Sequence, residues 1–169
     1  MEGAAVTQPK KQIYEDVRVL DLVSREAGAT LIGAVMADFG ADVIKIDRPG
    51  EPDPAVGRHY VKDGVNLPYK VKGRNKRHIT LDISVPEGRD LFHKMVAEAD
   101  VVIESYPVGT MEAWGNGWEA LRSINPRLIF CRVSDYGQTG PYKSRRLDGR
   151  TAEAFCGFSF IDGEPDGSP

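Results

Sequence analysis

The sequence predicts an α/β protein built on a doubly wound parallel sheet, and three observations carry that reading. Short apolar strand segments alternate with helical segments along most of the chain. The run Phe39-Gly40-Ala41-Asp42-Val43-Ile44-Lys45-Ile46-Asp47-Arg48-Pro49-Gly50 reads as a helix end, a glycine turn, a buried strand and a loop bearing a fixed positive charge. Val101, Val102 and Ile103 stand side by side, the pattern of a strand covered on both faces.

Each element follows from local chemistry. Met1 to Gln12 is polar and rich in small residues, so residues 1–16 are expected as a flexible tail before a domain that fills 17–169. Val17 to Leu22 is an apolar strand, Ala27 to Phe39 a helix, and Val43 to Ile46 a second strand, together one βαβ unit. Pro49 to Leu67 carries Pro49, Gly50, Pro52, Pro54, Gly57 and Gly64 without a sustained period and reads as a long loop. His78-Ile79-Thr80-Leu81 alternates as a strand. Pro86-Glu87-Gly88 opens a helix, with proline tolerated in the first turn and Glu87 favourable to the dipole. Leu91, Phe92, Met95, Val96 and Ala99 then recur at helical spacing. Asp100 to Glu104 is a strand, Trp118 to Ile124 a helix and Leu128 to Val133 another buried strand. Beyond Gly157 the α/β pattern stops mid-course, so the sequence is expected to be part of a longer polypeptide.

Composition narrows the function classes. The 169 residues are 41% hydrophobic, enough for one core burying about 70% of the unfolded surface. A net charge of −3 supplies no global basic field, which argues against a nucleic-acid partner. No apolar run reaches the roughly 18 residues of a membrane span, and the N-terminus lacks a signal-peptide core, so no membrane partner is expected and a reducing cytoplasm is the default compartment. Cys131 and Cys156 are too few for a disulfide framework, and Cys131, inside Leu128-Ile129-Phe130-Cys131, reads as a small core residue. His59, His78 and His93 have no partner at metal-ligand spacing, so no metal is expected.

The residues leave several chemistries open. Lys70, Lys72, Arg74, Lys76 and Arg77 place five cations in eight positions, suited to phosphate oxygens or to a solvated loop. We expect Lys72, Arg74 and Lys76 near a bound phosphate or a subunit contact. No Gly-x-Ser-x-Gly elbow, Walker loop or Gly-x-Gly-x-x-Gly fingerprint is present, which disfavours hydrolase, nucleotidase and dinucleotide oxidoreductase readings. Asp135, Asp148, Glu153 and Asp162 leave room for a carboxylate nucleophile.

Seven motifs in order carry a resemblance: Val19-Leu20-Asp21; Gly40 to Asp47; Asn75-Lys76-Arg77-His78-Ile79-Thr80-Leu81-Asp82; Pro86-Glu87-Gly88; Ala99 to Glu104; Asn125-Pro126-Arg127-Leu128-Ile129; and Gly137-Gln138-Thr139-Gly140-Pro141-Tyr142. In that order and spacing the chain resembles the family III coenzyme A transferases, which include formyl-CoA, carnitine and benzylsuccinate CoA-transferases and the α-methylacyl-CoA racemases. The resemblance implies a Rossmann-like large domain, a smaller domain from further sequence, and two polypeptides threaded as interlocked rings. It implies coenzyme A or acyl-CoA as substrate with no tightly bound cofactor, a carboxylic acid as acceptor, and a partner that is a related subunit or a second copy of the chain.

Carried over position by position, the resemblance puts Arg48 at the adenosine phosphate end of coenzyme A. It puts Leu81 beside the adenine, and Ser105 and Tyr106 beside the pantetheine. The Ser24-Arg25-Glu26-Ala27 loop falls where active members position the thioester, and its charged pair departs from their polar, uncharged one. The family pattern, counted forward from Tyr142 and back from Gly157, places the aspartate nucleophile at Gly149; Asp148 stands one position early. One residue turns a helical side chain by about 100°. The leading expectation is therefore a CoA-transferase subunit that moves coenzyme A from a donor such as succinyl-CoA to a carboxylic acid without its own nucleophile. A transferase using Asp148, an acyl-CoA racemase and a coenzyme A-binding scaffold are the alternatives.

Overall fold

The computed structural model describes residues 11–23, 29–50, 60–146, 149–162 and 167. Five parallel strands form its centre: β1 (Arg18–Asp21), β2 (Asp42–Asp47), β5 (Arg77–Thr80), β6 (Val101–Glu104) and β7 (Ile129–Arg132), in the order β5-β2-β1-β6-β7. The first three run outward to one edge before the chain returns to lay β6 and β7 on the other side of β1. This reversal creates a topological switch point between β1 and β6, the place where open α/β sheets bind ligands beyond their carboxyl ends.

Side-chain alternation sorts the strands onto two cores. Leu20, Ile44, Ile46 and Val102 join Phe92 and Val96 of α3 (Pro86–Val96) and Leu121 of α5 (Trp118–Ile124). Val19, Val43, Val101 and Ile103 join Ala29 and Ala37 of α1 (Ala29–Asp38). All four residues of β6 are buried, so the consecutive apolar run does mark a strand covered on both faces. Cys131 lies half-buried against the second core, and burial pushes its thiol upward.

Several of the sequence motifs are fold devices. Gly40 has φ +100°, and the Gly40 and Ala41 N–H groups donate to Ala37 and Met36 carbonyls, each at 3.0 Å, closing α1 in a Schellman turn. A side chain at Gly88 would overlap the Asp82 carbonyl oxygen, so this glycine lets the first turn of α3 lie against the chain leaving β5. Asn125 donates to the Val96 and Ala99 carbonyls at 3.0 and 2.7 Å, satisfying the end of α3 from the end of α5.

Three expectations meet a different structure. Residues 11–16, expected as tail, form a turn whose Tyr14 N–H donates to the Phe39 carbonyl at 3.0 Å. The stretch read as a long loop contains a hairpin, β3 (Val61–Lys62) and β4 (Val65–Asn66), followed by α2 (Leu67–Lys72). Asp63 and Gly64 both have positive φ there, the two-residue hairpin turn that an Asp-Gly pair favours. Leu91, counted with the buried face of α3, is exposed.

Three of the five cations of the basic loop pair with carboxylates of the fold, and one of them is buried. Lys76 Nζ lies 2.7 Å from Asp21 Oδ2 and 3.1 Å from the Thr30 carbonyl, with both charged side chains almost wholly buried. Arg74 forks onto Asp38 of α1, and Arg77 onto Asp42 of β2. A desolvated amine held by a carboxylate and a carbonyl is not available to phosphate, so the expectation for Lys76 is corrected.

Gly33 makes room for the buried pair: a side chain there would overlap the Asp21 carboxylate and stand 3.1 Å from Lys76 Nζ. Gly33→Ala should therefore destabilise the protein by about 1–3 kcal/mol through overpacking. Lys76→Met, which strands a buried carboxylate, should cost about 3–5 kcal/mol. Urea unfolding measures both, and variants as stable as the unsubstituted protein would contradict this account of the pair.

Candidate active site

The carboxyl ends of the strands deliver the predicted binding residues to one edge of the sheet. Arg48 follows β2 directly, Leu81 follows β5, and Ser105 and Tyr106 follow β6. Leu81 and Tyr106 both pack, half-buried, against the core beneath α3. The Leu81 N–H donates to the Asp47 carbonyl at 2.9 Å, which fixes the chain as it leaves the sheet.

A residue that sequence reading passed over joins two of these sites. Trp114 stands at the end of α4 (Thr110–Ala113), half-buried against the same core. The Tyr106 ring meets it edge-on with centroids 5.0 Å apart, and the Arg48 guanidinium lies 5.8 Å from the indole centroid. Arg48 also donates to Ser84 Oγ at 3.3 Å and lies 3.5 Å from Asp82 Oδ1. Hydrogen bonds from the Ser84 hydroxyl and backbone N–H hold the Asp82 carboxyl below its usual range. The result is a cation lying against an aromatic surface at a strand end, chemistry suited to a phosphate joined to a planar base. The only sequence cue to Trp114 was a large aromatic a few residues beyond the Ser105-Tyr106 turn. Ser105 is half-buried on that turn.

Beneath the turn lies a charged clamp. Glu104 is fully buried; its Oε2 accepts the Tyr106 N–H at 2.6 Å and its Oε1 accepts Arg132 Nε at 2.7 Å. Arg132 turns its other two nitrogens to Glu112 of α4 at 2.6 and 3.1 Å. The two carboxyls shift in opposite directions. Burial pushes Glu104 up despite Arg132, whereas the Arg132 hydrogen bonds hold the more exposed Glu112 down.

The nucleophile region has less to offer. Asp148 and the Ser24–Ala27 loop lie outside the described residues. Gly149, the position where the family pattern wants an aspartate, opens α6 (Gly149–Phe155), is exposed, and has a φ outside the left-handed region. Among the described residues, and apart from its chain neighbours and its own helix backbone, no atom lies within 4 Å of where its side chain would stand. Backbone geometry therefore does not demand glycine there. Phe155 ties α6 to the loop after β7 through edge-on contacts with Tyr136 and Tyr142, at 5.2 and 6.3 Å. Gly157, at φ +81°, makes the expected turn after that helix. Among the described residues no cluster of three or more His, Cys, Asp or Glu could hold a metal ion, and no helix is long and apolar enough to cross a membrane.

A parallel α/β sheet with a switch point at its strand ends defines a class of proteins that bind ligands beyond the carboxyl edge. The chain belongs to coenzyme A transferase family III, whose model matches residues 14–169. It is 46% identical over 157 residues to a succinyl-CoA–D-citramalate CoA-transferase of Chloroflexus aurantiacus, covering 92% of this chain and 39% of that relative. It is 39% identical over 171 residues to the beta subunit of a succinyl-CoA–L-malate CoA-transferase of the same organism, covering all of this chain and 41% of the relative. The crystal structure of a CAIB/BAIF family protein from Brucella suis superposes with a TM-score of 0.83 at 34% identity, covering 95% of this chain and 43% of that one. The chain thus spans about two fifths of the length of these relatives.

The opposed carboxyl shifts predict a pH signature. Glu112, held below its usual range, contributes stability that is present above that range and lost as pH falls through its lowered value. Glu104, held above its usual range, contributes in the opposite sense: its share is complete below that range and is lost as pH rises through its raised value. Glu112→Gln should therefore shrink the loss of stability on acidification. Urea unfolding across a pH series from neutral into the carboxylate range reads this, and an unaltered acid limb would refute the assignment.

Proposed function

We propose that this chain is the coenzyme A-binding part of a CoA-transferase that moves coenzyme A from an acyl-CoA donor, succinyl-CoA foremost, to a carboxylic acid. The observation that carries the reading is Arg48 lying against Trp114 at the carboxyl end of β2, with Leu81 and Tyr106 packed on the same core. Arg48 meets the adenosine phosphate end and exchanges its contacts to Asp82 and Ser84 for phosphate oxygens. Leu81 lines the adenine, while Ser105 and Tyr106 flank the pantetheine. Succinyl-CoA in the names of the citramalate and malate enzymes supports the choice of donor.

The reaction needs a carboxylate that attacks the thioester carbonyl. A mixed anhydride forms as the coenzyme A thiolate departs; the thiolate then attacks the enzyme carbonyl of that anhydride, giving an enzyme thioester and releasing the donor acid as its carboxylate. The acceptor carboxylate repeats the two steps in reverse, displacing the thiolate to form a second anhydride whose acyl carbon the thiolate attacks, which frees the enzyme carboxylate. Gly149 has no side chain with which to do this, and Asp148 stands one position before the place the family pattern reserves for the nucleophile. Attack geometry of about 3–3.5 Å tolerates little error. In our reading the nucleophile therefore comes from a related subunit rather than from this chain. Relatives named as alpha and beta subunits of one CoA-transferase support a hetero-oligomer.

Two measurements test the proposal on the assembled protein. Arg48→Ala should weaken coenzyme A binding by about 1.5–3 kcal/mol, the scale of a hydrogen bond to a charged group. Calorimetry reads this, and unchanged affinity sinks the assignment of Arg48.

Asp148→Ala should leave the exchange of label between succinyl-CoA and free acid within a few-fold. Hydroxylamine trapping followed by mass spectrometry gives an independent reading: a hydroxamate at Asp148 would make this chain its own catalyst. Coenzyme A binding without any label exchange would favour a scaffold instead.

A further inference from the structure

The Glu104–Arg132–Glu112 clamp has a place in the fold that stability alone does not explain. Glu104 ends β6, beside the central strand β1, Arg132 ends the neighbouring β7, and Glu112 sits on α4, outside the sheet. The first carboxylate fixes the backbone N–H of Tyr106, and the second fixes the helix that carries Trp114. One guanidinium thereby sets both members of the Tyr106–Trp114 edge-on pair, against which Arg48 also lies. All three of its polar nitrogens are spent on these two carboxylates, and its Cζ lies over the Phe130 ring, 5.1 Å from the centroid.

We propose that Arg132 is a positioning residue for the coenzyme A site, holding Tyr106 through Glu104 and Trp114 through Glu112, so that the aromatic pair is preset before ligand arrives. The inference rests on the functional reading above and deepens it. It assigns Arg132 no contact with substrate and no step in the chemistry. Loosening the clamp lets α4 drift and makes binding bear the cost of ordering the aromatic pair, so affinity falls while turnover of bound substrate persists.

The test uses the assembled protein and coenzyme A itself as the probe. Glu112 is 47% exposed, so Glu112→Gln cuts the link to α4 without stranding a buried charge. It should weaken coenzyme A binding by about three- to thirtyfold, raise KM for succinyl-CoA in step, leave kcat within about twofold, and alter the near-ultraviolet circular dichroism of the tryptophans. Arg132→Lys, which keeps the charge and loses the fork, should fall between the unsubstituted protein and Arg132→Met. Should Arg132→Met fail to fold, a double-mutant cycle decides. If Glu112 acts through Trp114, adding Glu112→Gln to Trp114→Ala should weaken binding no further, whereas a general structural role gives additive losses. Additivity, or affinity indifferent to Glu112→Gln in a protein that binds coenzyme A, overturns the positioning role alone. An unsubstituted protein that does not bind coenzyme A overturns the functional reading and the positioning role together.

Discussion

Two carboxylates buried at the carboxyl ends of the two central strands must each be neutralised, and much of the arrangement follows from how that is done. Asp21 ends β1 and Glu104 ends β6; both are fully buried where the sheet is covered on its two faces. An ionised carboxylate in such surroundings is costly unless it is paired and hydrogen-bonded. Each takes its cation from an outer part of the sheet, Asp21 from Lys76 just before β5 and Glu104 from Arg132 at the end of β7. The pairs flank the switch point from opposite sides. Each carboxylate also accepts a backbone N–H two residues on, Val23 for Asp21 and Tyr106 for Glu104. The strand ends are thereby shaped as well as neutralised.

That arrangement links stability to the site. Parallel strands need helical crossovers, and the crossovers bury both faces of β1 and β6. Burial leaves the carboxyl edge as the place where polar groups of this sheet converge. There the same interactions that satisfy buried charge also aim Tyr106 and steady the helix bearing Trp114. Removal of a clamp residue would disturb the binding edge more than the hydrophobic cores, because Leu20, Val102 and Phe92 pack independently of it.

Arg48 illustrates how a cation at a strand end is held in place without being left bare. Its guanidinium lies against an indole face, near a carboxylate and a hydroxyl. The aromatic surface restricts the long side chain, while its partly exposed polar contacts can be exchanged for stronger phosphate oxygens. Lys76, expected near a bound phosphate, is unsuited to that role because its charge and two of its donors are used inside the protein.

The sequence by itself determined the order of the five sheet strands along the chain, the glycine stop at Gly40, the double coverage of β6 and the places of Arg48, Ser105 and Tyr106 just past strand ends. These are local matters of side-chain period, turn conformation and position relative to a strand end, and a one-dimensional pattern records them. Only the tertiary structure decided that Trp114 joins Arg48 to Tyr106, that Arg132 serves two carboxylates 28 and 20 residues away, and that the basic loop spends Lys76 on Asp21 across 55 residues. Charges of opposite sign are plentiful in the sequence, and spacing does not say which pairs will be desolvated together. The strand order says it, because a β5-β2-β1-β6-β7 sheet carries Lys76 and Arg132 to buried carboxylates on opposite sides of the switch point.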